Sequence, residues 1–105
     1  GRSGFGLNIT ANTRDERLGV ELWIPGASAK QHFANLSPQK QAIEDKLGFA
    51  LDWQELPDAM ACRIASWYPQ ASLEDESRWD EYVDWLTQRL VKMDQVLRPI
   101  VKALP

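Results

Sequence analysis

Leu18-Gly19-Val20-Glu21-Leu22-Trp23-Ile24 sets an apolar residue at every second position. That period places Leu18, Val20, Leu22 and Ile24 on one face of a strand and Glu21 and Trp23 on the other. Pro25-Gly26 follows and ends the strand, because proline cannot donate to a ladder and glycine suits a turn. Upstream, Phe5-Gly6-Leu7-Asn8-Ile9-Thr10 alternates in the same way. The polar stretch from Asn12 to Arg17 between them reads as a turn, so the pair is an antiparallel hairpin.

Beyond the hairpin the period changes. Ser28-Ala29-Lys30-Gln31 has the form of a capping box and announces a helix. Phe33, Leu36, Ile43 and Leu47 keep helical spacing, Ser37-Pro38 marks a break and restart, and Gly48 suits a left-handed cap. Alternation returns with Phe49, Leu51 and Trp53, then with Cys62 and Ile64, until Pro69. From Ser77, the apolar positions Trp79, Tyr82, Val83, Leu86, Leu90, Met93, Leu97 and Val101 describe one long helix. Pro99 should bend or break it near Arg98. The order ββαββα predicts an α+β fold: an antiparallel sheet of about four strands against a broken helix and a long C-terminal helix.

Bulk composition narrows the classes. The 105 residues suit a single domain, 1–105, with one modest core. The net charge of −3 disfavours non-specific binding to phosphate backbones. A single cysteine, Cys62, forms no internal disulfide and points to a reducing cytoplasm. No apolar run reaches the roughly 18 residues of a membrane span, and no membrane partner is expected. Five tryptophans are more indole than one small core readily absorbs.

The order Glu21-Leu22-Trp23-Ile24-Pro25, Lys40-x-x-Ile43-Glu44, Leu47-Gly48, Leu51-x-Trp53, Arg63-Ile64 and Trp79-x-x-Tyr82-x-x-Trp85-Leu86 runs through most of the chain. On these residues the segment from Gly4 to Leu104 resembles the bacterial and archaeal family described as domain of unknown function 4268. The resemblance implies a C-terminal part of a longer protein, in some members behind a domain similar to nucleases. It also implies a family domain that starts earlier, so that an N-terminal element covering part of the sheet is missing. It carries no catalytic residues.

Function rests on the outward strand register. With the apolar row facing the helices, Asn8, Thr10, Glu21, Trp23, Asp52, Gln54, Arg63 and Trp67 share the other face. Two indoles, a guanidinium and two carboxylates make a candidate recognition surface, since tryptophan and arginine dominate contact energetics. The candidate binding residues are therefore Trp23, Trp67, Arg63, Glu21, Asp52 and Gln54. Alanine at Trp23 and Trp67 should weaken partner binding or dimerisation while sparing the fold. The plain alternative is that a missing segment or a twofold mate covers this face.

Catalysis finds less support. The (D/E)-x-K pair of metal-dependent nucleases is missing from the strands: Asp52-Trp53-Gln54 ends in Gln and Glu21-Leu22-Trp23 in Trp. Glu44-Asp45-Lys46 has the spacing but falls on a helix. The lone His32 reads as solvent-facing or capping, and no metal site or cofactor is expected. Glu44 could pair with Arg63 across the layers, or with Lys40 along its helix for about 0.3 kcal/mol. The reading is a non-catalytic interaction module of a larger prokaryotic protein, its partner an upstream domain of the same protein or a homodimer mate. A nuclease-related enzyme domain and a direct nucleic-acid-binding module are the alternatives.

Overall fold

The computed structural model describes residues 5–12 and 14–104. Gly4, where the family resemblance begins, and Thr13, in the expected turn, lie outside the described residues. Four strands form one antiparallel sheet in the order β1-β2-β4-β3: β1 Gly6–Asn12, β2 Arg17–Pro25, β3 Asp52–Gln54 and β4 Ala61–Tyr68. Two helices, α1 (Ala29–Leu36) and α2 (Lys40–Leu47), are joined by one 3₁₀ turn over Ser37–Gln39, and α3 spans Trp79–Lys102. The α+β arrangement, the ββαββα order, the broken first helix and the long last one are those expected.

The register explains the layering. Leu22 pairs with Leu7 on one side and Ile64 on the other, and Ile64 pairs with Trp53. This apolar row lies under the helices. Val20, Ile24, Ile64 and Cys62 pack with Leu36, Ile43, Met93 and Leu97 in one buried cluster. Each such aliphatic side chain contributes about 1.5–3 kcal/mol by leaving water.

Local chemistry sets the ends. Asn12 Oδ1 accepts from the backbone N–H of Arg14 (3.0 Å) and Asp15 (3.2 Å), which folds the hairpin turn. Gly48 closes α2 at φ +85°, a conformation that costs glycine little. Strand β3 is shorter than the alternation from Phe49 implies: only Asp52–Gln54 pairs with β4.

Three expectations are corrected. The capping box does not form, since Ser28 makes no side-chain cap. Lys30 instead sends its ammonium to the carbonyls of Glu55, Leu56 (2.7 Å) and Ala61 (3.0 Å), tying α1 to the β3–β4 loop. Pro99 does not end α3, which runs about 36 Å to Lys102. Pro99 is exposed, and burial of Leu97 and Val101 on either side holds the last turn against the loss of one N–H donor. The packing stripe is also narrower than the spacing suggested. Tyr82, Met93, Leu97 and Val101 are buried, whereas Trp79 and Val83 face outward at 48% and 58% exposure.

Glu44 joins the layers by a route the sequence did not disclose. Its Oε2 accepts from Leu51 N–H (2.8 Å) and from Trp53 Nε1 (3.1 Å). The conceivable Glu44–Arg63 pair is not made. The Leu51 hydrogen bond lowers the Glu44 pKa below its ordinary 4.5; burial opposes this, and Trp53 and Lys40 assist it. A depressed carboxylate stabilises the fold above its unfolded pKa, and that contribution disappears as pH falls through the folded value. Glu44→Gln should therefore cost about 1–2 kcal/mol at neutral pH. Thermal melts between about pH 3 and pH 7 should show the variant losing less stability than the parent below about pH 4.5.

Candidate functional site

The candidate residues come together as the strand register requires. Glu21 stands between Asn8 and Ala65 in the ladder, and Ala65 is paired in turn with Asp52. Trp23 stands opposite Arg63, and Arg63 opposite Gln54. Trp67 stands opposite Gly19. Trp23, Trp67, Arg63, Asp52 and Gln54 are half-buried, and Glu21 is 9% exposed.

The site includes two residues that the sequence reading left out. Arg17, assigned to the turn, opens β2 and lays its guanidinium 3.6 Å from the centre of the Trp67 ring. Gly19 lies beneath that ring, where an added Cβ would sit 2.6 Å from Trp67 Cε3 and 2.6 Å from the Ser66 carbonyl oxygen. Trp67 thus lies between backbone below and a cation above while remaining half-buried. Strand alternation holds the signal for both residues: Arg17, Gly19, Glu21 and Trp23 are successive members of one register.

Across the face, cations and rings alternate. Arg63 lies 5.9 Å from the Trp67 ring and 5.6 Å from the Trp23 ring, so the row runs Arg17, Trp67, Arg63, Trp23. Stacks of this kind contribute about 0.5–2 kcal/mol per pair, more where water is excluded. Each cation also has a carboxylate. Arg63 Nε donates to Glu21 Oε2 at 2.6 Å, and Arg17 stands 3.8 Å from Asp52. Asp52 Oδ2 also accepts from Trp67 Nε1 (2.9 Å) and from the Gln54 amide. Burial works to raise the Asp52 pKa. The donors Trp67 and Gln54, with Arg17 and Arg63 nearby, outweigh it and hold the carboxyl below its ordinary value.

This arrangement separates the two indoles. Trp67 is held by a hydrogen bond, a cation and a close backbone contact, so Trp67→Ala is expected to destabilise the fold, unlike the expectation from sequence that both indoles could be replaced without that cost. Trp23 ends the row, half-buried, with the Arg63 guanidinium 5.6 Å from its ring. The other three are used elsewhere. Trp53 donates to Glu44 and meets Phe33 edge-on at 6.2 Å. Trp85 meets Tyr68 edge-on at 5.2 Å, with Arg89 over its ring at 4.7 Å. Trp79 Nε1 donates to the Leu73 carbonyl (2.9 Å).

His32 is half-buried against the Phe5 ring at 4.8 Å, with its Nδ1 buried and without a hydrogen-bond partner, so its side chain caps no helix through that atom. Among the described residues no three His, Cys, Asp or Glu converge as metal ligands would, and no helix is long and apolar enough to cross a membrane. Cys62 is buried, its thiol directed at the Glu55 carbonyl (3.2 Å). Burial pushes its pKa up, away from nucleophilic character.

No curated protein and no solved structure is significantly similar to this chain. The family model described as Domain of unknown function (DUF4268) matches residues 1–101 of the 105, and the chain belongs to that family.

Proposed function

We propose that this domain is a non-catalytic interaction module of a larger prokaryotic protein, and that the outer sheet face around Trp23 is its contact. The observation behind this reading is the Arg17–Trp67–Arg63–Trp23 row, rigid at one end and half-exposed at the other. A pre-ordered aromatic anchor loses little side-chain entropy on binding, which is what contact hot spots need. Charge favours a protein partner over nucleic acid. Both cations of the row already face carboxylates, Glu21 and Asp52, so a phosphate would have to displace them. The favoured partner is an upstream domain of the same protein.

The test is a calorimetric titration of that upstream domain, made as a separate chain, into the parent and Trp23→Ala. The variant should bind at least about tenfold more weakly, a loss of about 1.4 kcal/mol, while melting within a few degrees of the parent. Equal affinity in the two would overturn the assignment. Two controls address the alternatives. Salt-sensitive binding of DNA would make the domain a nucleic-acid-binding module. Metal-dependent cleavage lost in Glu21→Gln or Asp52→Asn would make it an enzyme.

A further inference from the structure

The two edges of the sheet are built differently. The β3 edge is three residues long, begins with Asp52, and is followed at once by Glu55 and Pro57. Short length, charge and proline are the devices that keep an edge from pairing. The β1 edge has none of them. Gly6-Leu7-Asn8-Ile9-Thr10-Ala11-Asn12 is seven residues long, uncharged and free of proline. Among the described residues its only sheet neighbour is β2, so one side of its backbone lacks a ladder partner among them. At its centre Ile9 is 52% exposed, although its register places it on the helix-covered face, opposite the fully buried Val20.

We propose that β1 is a self-association edge, through which two copies of this chain pair antiparallel about a twofold axis at Ile9. Of the antiparallel registers that keep apolar residues opposite apolar ones, the one centred on Ile9 pairs the whole strand. Centred on Ile9, the pairing uses all seven residues and sets Leu7 against Ala11 of the second copy, Asn8 against Thr10, and Gly6 against Asn12. Apolar residues then meet apolar ones on the helix side, and polar residues meet polar ones on the outer side. A slip by one residue would bring apolar and polar side chains face to face. A twofold contact must be self-complementary, and this strand has that property about its own midpoint. The helix layer extends the match. Leu7 lines a groove with Leu90 and Val91 of α3, the last 50% exposed, so an apolar strip reaches the helix beside the polar wall formed by Asp94, Gln95 and Arg98. Pairing would join two four-stranded sheets into one of eight strands, with both outer faces on the same side.

Sedimentation velocity of the 105-residue chain between about 1 and 500 µM should show a monomer–dimer equilibrium with a Kd on the order of 10 µM. Ile9→Lys and Ile9→Glu should each shift the protein to monomer, because like charges would face one another across the axis. Mixing the two variants should restore a dimer, now a heterodimer. A monomer mass at every concentration of the parent would overturn the proposal. So would a dimer that survives Ile9→Lys, or a mixture that remains monomeric while both variants retain their circular dichroism. Trp23→Ala lies on the opposite face and should leave the dimer unchanged, so failure here and failure of the Trp23 contact are separable.

Discussion

Gly19→Ala should destabilise the domain by about 2–4 kcal/mol, at and above the upper end of the roughly 1–3 kcal/mol typical of overpacking, because neither obstacle can move aside easily. The new methyl would sit 2.6 Å from the Ser66 carbonyl oxygen, which belongs to the neighbouring strand, and 2.6 Å from Trp67 Cε3. A flexible side-chain end could yield at small cost. Here one obstacle is backbone in the middle of the sheet. The other is an indole held by Asp52 and covered by Arg17. For a domain of this size the loss corresponds to a fall in melting temperature of roughly 10 °C or more. If Gly19→Ala melts within about 2 °C of the parent, Trp67 swings away freely and the cation–ring row is not a fixed element. Trp67→Ala/Gly19→Ala should then separate the two causes. Removing the ring relieves one clash, so the double variant should fall short of the summed single losses by more than about 0.5 kcal/mol.

Alternation with a period of two made the sheet legible, because a strand assigns its side chains to faces by parity alone. Leu22 and Trp23 could be placed on opposite faces without coordinates, and the eight residues expected on the outer face all share it. Parity does not tell which of those neighbours touch. That Arg17 lies over Trp67, and that Gly19 is where the ring rests, depends on the pairing of β2 with β4 and on side-chain torsions. The same limit hid Glu44. Its spacing to Lys40 suggested a surface pair, while its actual partners, Leu51 and Trp53, are seven and nine residues away around the start of β3, where alternation assigns a face but not a partner. Pro99 misled for a different reason. A local rule about helix breaking was outweighed by burial of Leu97 and Val101, which a short window cannot see.

Arg63→Met should cost about 3 kcal/mol, and Glu21→Gln/Arg63→Met should recover most of that loss. Glu21 is 9% exposed, and Arg63 Nε, 2.6 Å from its Oε2, is the cation it faces. Removing the guanidinium alone leaves a carboxylate with little water and no counter-charge. That situation costs about 3–5 kcal/mol in buried pairs, and somewhat less here because Arg63 itself is 30% exposed. Removing both charges leaves an amide beside an apolar chain of similar length, which is often close to neutral. A coupling of about 2 kcal/mol between the two positions, read from denaturant melts of the four members of the cycle, is the expected result. The double variant also tests the contact face. If it folds like the parent yet binds the upstream domain less tightly, the ion pair meets the partner directly. If affinity is unchanged, Glu21 and Arg63 act by holding the row in place and Trp23 carries the contact. Additive single losses would show instead that the 2.6 Å pair contributes no more than two separate polar side chains.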